Sequence, residues 1–144
     1  MYTRYRRYTV IIKRMTKNFN IEEFKCKGNL KGCDCQMPDD VYNNIQELAD
    51  NLQIVRDMLD EPIKINSAYR CENYNSQIGG VSKSQHLKGK AADIKVKNLT
   101  PDQVANAIEK LQEGGFIKQG GLGRYDSFTH IDIRGRNARW DKRK

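Results

Sequence analysis

The sequence predicts an α+β fold in which a small antiparallel sheet is covered by helices. Three observations carry this reading: a long helical period over residues 41–59, strand-like alternation near residues 63–66, 91–96 and 128–134, and the order helix, strand, loop, strand, helix, strand along the chain. At 144 residues there is room for one domain with one core and little for a second.

The elements follow in order. Residues 1–14 read as a basic appendage, because the first pattern consistent with a fold begins after Met15-Thr16-Lys17. Pro38-Asp39-Asp40 is a helix start, with proline at the first position and acids in the first turn, where the helix dipole favours them. Val41, Ile45, Leu48, Leu52, Val55 and Leu59 then recur on one helix face, and Pro62 stops it. Pro62 to Asn66 alternates as a short strand. Ser67 to Lys90 is polar and punctuated by Gly79, Gly80 and Gly89, which reads as loop. Ala91 to Val96 is a second strand. Thr100-Pro101-Asp102-Gln103 has capping-box spacing, and Gly114-Gly115 ends the helix it opens. Phe128 to Arg134 alternates strictly as the last strand. The domain is therefore expected over residues 15–140, with 141–144 as a basic tail.

Charge narrows the class. The net charge is +8, yet the first 17 residues hold six basic residues and no acid, and residues 134–144 hold six basic residues against Asp141. The body between them is slightly acidic. Nucleic-acid binding would more usually place basic residues on the folded surface, so no nucleic-acid partner is expected. No apolar run approaches the length a membrane span needs. No export signal is recognisable, so synthesis in the cytoplasm without a signal peptide is expected. Four cysteines occur, Cys26, Cys33, Cys35 and Cys71, whose spacing matches no zinc finger or ribbon. Ordinary thiols rank first for them, a disulfide second and a structural metal third.

Chemistry concentrates around the only two histidines. Period-2 geometry puts Phe128, His130, Asp132 and Arg134 on one strand face, and Ile131 and Ile133 on the other, toward the core. In the strand Ala91–Val96, Ala92, Ile94 and Val96 share one side and Asp93 takes the opposite one. Asp is a poor strand former, so a site rather than the fold accounts for Asp93 there. His86, Asp93 and His130 make a set of two neutral donors and one anionic donor, suited to a catalytic zinc that keeps a fourth position open.

The run Ser84-Gln85-His86-Leu87-Lys88-Gly89-Lys90-Ala91-Ala92-Asp93 carries the signature S-x-H-x-x-G-x-A-x-D. In this it resembles the zinc D-alanyl-D-alanine carboxypeptidases of VanX and VanY type, which share a metal-site fold with lysostaphin-type peptidases and the hedgehog domain. Asn66 to Asn75, Gly79 to Ser84, Gly120 to Tyr125 and Phe128 to Trp140 are similar to small, single-domain phage-type members. The resemblance implies one Zn²⁺ per chain, held by His86, Asp93 and His130. It implies that Arg70 binds a substrate carboxylate or stabilises the oxyanion, with Ser84 and Tyr125 also toward the substrate. It further implies a general base near the last ligand. Ser127 stands three positions before His130, where many relatives carry an acid, so Asp132 is the expected base and Asp126 its competitor.

The activity so implied is zinc-dependent hydrolysis of an amide bond in bacterial cell-wall peptides, by a D,D-carboxypeptidase or endopeptidase of endolysin type. It would act on the wall after release, as a monomer. The alternatives are a zinc-containing binding domain without turnover and, behind it, a nucleic-acid-binding protein.

Overall fold

The computed structural model describes residues 14–28 and 36–144. Apart from Arg14, the expected appendage lies outside the described residues, as do Cys33 and Cys35.

The long apolar stripe forms the helix Asp39–Leu59 (α1), which buries Val41, Ile45, Leu48, Ala49, Leu52 and Val55. Pro38 is its N-cap rather than its first residue. The helix ends at Asp60, whose backbone is left-handed (φ 51°) and whose N–H reaches Arg56 O. The second predicted helix is Pro101–Glu113, and its capping box is reciprocal. Thr100 Oγ1 accepts from Gln103 N at 3.1 Å, and Thr100 N donates to Gln103 Oε1 at 2.9 Å. Between them the polar stretch expected as loop contains a short helix, Glu72–Gln77 (α2), so the capped helix is α3. At the N-terminal end Met15, Phe19 and Phe24 join the core, and Asn20 caps a 3-10 turn, Ile21–Phe24.

Among the described residues five strands make one sheet: β1 (Ile63–Ser67), β2 (Ala91–Val96), β3 (Gly121–Arg124), β4 (Thr129–Asp132) and β5 (Ala138–Asp141). Their spatial order is β1-β2-β4-β3-β5. The first four pair antiparallel, as expected, but β5 runs parallel to β3, so the sheet is mixed. Neither β3 nor β5 was legible as a strand. The sequence of β3, Gly-Leu-Gly-Arg, has a single apolar residue to alternate, and its pairing is set by β4. Ile65, Ile94, Ile131 and Leu122 lie in the core that α1 and α3 cover. Residues 141–144, expected as a tail, lie against the domain. Lys142 N donates to Arg124 O at 2.8 Å, and the Arg143 guanidinium pairs with Asp141 and Asp102.

Candidate metal centre

The site sits where β2 and β4 run side by side. Their register sets Asp93 directly opposite His130, so both side chains leave the sheet at one point, on the face the alternation assigns them. His86 arrives from a 3-10 turn, Gln85–Lys88, that leads into β2. Ser84 caps this turn, accepting the His86 N–H at 3.2 Å. Gly89 closes it with φ +73°, a conformation glycine adopts without strain, and a Cβ there would press on Val41 of α1 at 2.9 Å. The turn is thus fixed between the helix layer and the sheet.

His86, Asp93 and His130 are all buried, with one potential donor atom from each lying within 4.8 Å of the others. Their hydrogen bonds fix which atoms these are. His86 Nδ1 lies 2.7 Å from the carbonyl of Ala68, which can only accept, so Nδ1 carries the proton and Nε2 keeps its lone pair. That Nε2 faces Asp93 Oδ1 at 3.3 Å. Both His130 nitrogens face a carboxylate, Nε2 that of Asp132 at 2.8 Å and Nδ1 that of Asp93 at 3.1 Å; with the neutral ring's proton on the shorter contact, Nδ1 keeps its lone pair toward Asp93. Two lone pairs and a carboxylate oxygen therefore converge with no donor among them. Such a set is satisfied by a cation or by a proton taken up on a ring. Anchoring each ring through its other nitrogen is what metal-ligating histidines require, and the set fits zinc with one position open.

The electrostatics agree. Burial alone would raise the Asp93 pKa, but hydrogen bonds and charge from His130 and His86 outweigh it and hold the carboxyl well below the ordinary carboxylate range. Burial likewise pushes the His130 imidazole down, and bonds to Asp132 and Asp93 overturn this, so without a metal it is drawn toward protonation.

Asp132 stands behind His130, away from Asp93. It is fully buried, and burial again is outweighed, here by His130, Arg134 and a backbone N–H. Its Oδ1 accepts from Gly121 N at 2.7 Å and Arg134 Nε at 2.9 Å, and its Oδ2 from His130 Nε2 and Arg134 Nη2 at 2.7 Å. Gly121 has to be glycine, because a Cβ there would overlap the Asp132 carboxylate. Asp126 lies elsewhere, beside Ser127 and Leu99 on another surface hollow, accepting from Lys144 N.

Arg70 leans over the site. Its Nη2 is 3.2 Å from Asp93 Oδ2, Nη1 donates to Asn75 Oδ1 and Nε to Ser67 Oγ, each at 3.1 Å. Buried Asn75, which also donates to Val81 O, is a positioning residue that the sequence reading passed over. The cleft in front, of about 550 Å³, is lined by Arg70, Ser84, His86, Asp93, His130 and Tyr125. The sequence reading also gave no role to Trp140, whose ring centre is 4.8 Å from that of His130 and whose N–H donates to Tyr125 Oη at 2.9 Å. That it is the chain's sole tryptophan was the signal available.

Nearby Cys26 is a buried free thiol with its Sγ 3.8 Å from that of Cys71, which is disulfide-bonded and caps α2. No helix among the described residues is long and apolar enough to cross a membrane. No curated protein matches the chain. A model of the peptidase M15 family matches residues 17–132, a span that holds all three candidate metal donors, Arg70 and Asp132, and the chain belongs to that family of zinc-dependent peptidases.

Proposed function

We propose that the chain hydrolyses an amide bond in bacterial cell-wall peptides, as a D,D-carboxypeptidase or endopeptidase of the kind an endolysin supplies. The observation that supports it best is the convergence of His86 Nε2, His130 Nδ1 and Asp93 Oδ1 beneath a cleft that Arg70 overhangs. Zinc held by these donors would supply Lewis-acid chemistry, acidifying water and polarising an amide carbonyl. The remaining work belongs to the chain. Arg70 offers guanidinium N–H groups to a substrate carboxylate or to the oxygen on which charge develops. Ser84 holds the His86 turn, and Tyr125 holds the Trp140 indole at the wall of the cleft.

Asp132 acts in this reading as the carboxylate that keeps the Nε2 proton on His130 and raises the ring's basicity toward the metal. As general base it would need a free lone pair facing the cleft, whereas both oxygens are engaged in the protein and the side chain is inaccessible. Asp93 is then the one carboxylate that lines the cleft among the described residues. This same observation favours a second reading, a zinc-containing binding domain without turnover.

Purified, zinc-loaded protein incubated with a pentapeptide ending in D-Ala-D-Ala, and with whole cell walls in a gel, separates the two. Release of D-alanine or clearing of the gel that stops with chelator and returns with zinc supports hydrolysis. Stoichiometric zinc with no product from either substrate leaves the binding domain.

A further inference from the structure

Arg70, Lys83, Arg134 and Lys142 line the cleft, and two of these cations already have a carboxylate partner within the protein. Arg70 pairs with Asp93, and Arg134 grips Asp132. Lys83 and Lys142 are exposed, and among the described residues neither ammonium has a carboxylate partner. They come from separate walls. Lys83 belongs to the loop that leads into the His86 turn, and Lys142 follows the edge strand β5, anchored through its N–H on Arg124 O.

Trp140 lies on β5 as well. Its indole packs on Gly123, where a Cβ would overlap it, has the Arg134 guanidinium 5.5 Å from the ring centre, and bonds to Tyr125. The ring is held in place yet still half-buried at the cleft. Arg134, Trp140 and Lys142 all follow residue 132, where the family match ends. With a dication bound, the cleft would carry a large excess of positive charge. A neutral peptide makes no use of two unpaired ammonium groups, and an acidic one does.

We propose that Lys83 and Lys142 are specificity-determining residues that select peptides carrying a side-chain carboxylate, bound beside the Trp140 indole. The proposal rests on the peptide-binding reading of this site. Exposed ion pairs are individually weak and screened by salt, so the expected preference is about tenfold at low ionic strength and smaller at high.

Trp140 is the only tryptophan, so its fluorescence reports binding at the cleft. The zinc-loaded full chain is titrated with N-acetyl-Ala-Glu-D-Ala-D-Ala and with its Gln counterpart, and cleavage of each is followed by chromatography. Tighter binding of the Glu peptide, a preference that shrinks with salt and falls to about one in the Lys83→Met/Lys142→Met double variant, bears the proposal out. Restoration by Lys83→Arg/Lys142→Arg confirms charge as the cause, and zinc content controls for folding. Equal affinities, a preference untouched by the double variant, or no binding of either peptide overturns it. Discrimination in binding with no cleavage sinks the peptidase reading and leaves the specificity assignment standing; cleavage without discrimination does the reverse.

Discussion

At the scale of the residue, the candidate metal centre is specified by what each side chain's second polar atom does. His86 presents Nε2 because Ala68 O holds the proton on Nδ1, and His130 presents Nδ1 when the shorter bond to Asp132 holds the proton on Nε2. Elemental analysis should give one zinc per chain, and His86→Ala or His130→Ala should each abolish tight retention. Two zincs per chain would place a second ion among the cysteines. Asp132→Asn removes the charged acceptor behind His130 and leaves Arg134 without its carboxylate. As a positioning residue it should weaken zinc affinity about 10- to 100-fold, with turnover restored in part by excess zinc. Unchanged affinity with turnover down about 10²-fold or more would instead return Asp132 to the role of general base. Asp126→Asn should alter neither quantity, since its side chain faces another hollow.

At the scale of the element, the turn that carries His86 and the helix that backs the sheet have separable determinants. Gly89→Ala forces a left-handed backbone on alanine and drives a Cβ into Val41, so it should destabilise the fold by about 1 kcal/mol or more and loosen zinc, because Gly89 ends the turn that positions His86. Thr100→Ala removes an N-cap bond on α3 and should cost about 1 kcal/mol with zinc affinity unchanged, since no residue of α3 lines the cleft. Urea denaturation and zinc titration on both variants test the separation. Equal losses of zinc affinity in the two would mean that the turn and the helix layer do not act independently.

Among the described residues of the molecule one core lies between α1, α3 and the inner sheet face, with the candidate metal centre on the strands' other side chains. Leu52 and Ile45 are completely buried there. Leu52→Ala should cost about 2–5 kcal/mol, enough to lower the urea midpoint well below that of the parent, while any folded fraction still binds zinc. Chelation should act globally too, because the ion binds the folded state. Saturation at about 100 times Kd is worth ~2.7 kcal/mol, so the melting temperature should fall with chelator and recover with zinc. A melting temperature indifferent to chelator would show that the three donors do not hold a metal in solution.

The sequence by itself determined the period of α1 and of the strands β1, β2 and β4 and the caps of α3, and it marked His86, Asp93 and His130 as the candidate metal set. Those properties reside in local spacing, where chain geometry alone assigns a face. The mixed sheet was out of reach. Strands β3 and β5 carry too few alternating apolar residues, and their pairing is granted by neighbours distant in sequence. Only the tertiary structure decided the tautomers, since one anchor is a backbone carbonyl at Ala68, which no side-chain pattern discloses. It also decided where Asp132 points. Period-2 spacing put Asp132 on the face of His130, but whether a carboxylate there meets water or is enclosed depends on Gly121 and Arg134 closing over it. Spacing assigns a side chain its face, and long-range packing assigns it a partner, which for a titratable group fixes its chemistry.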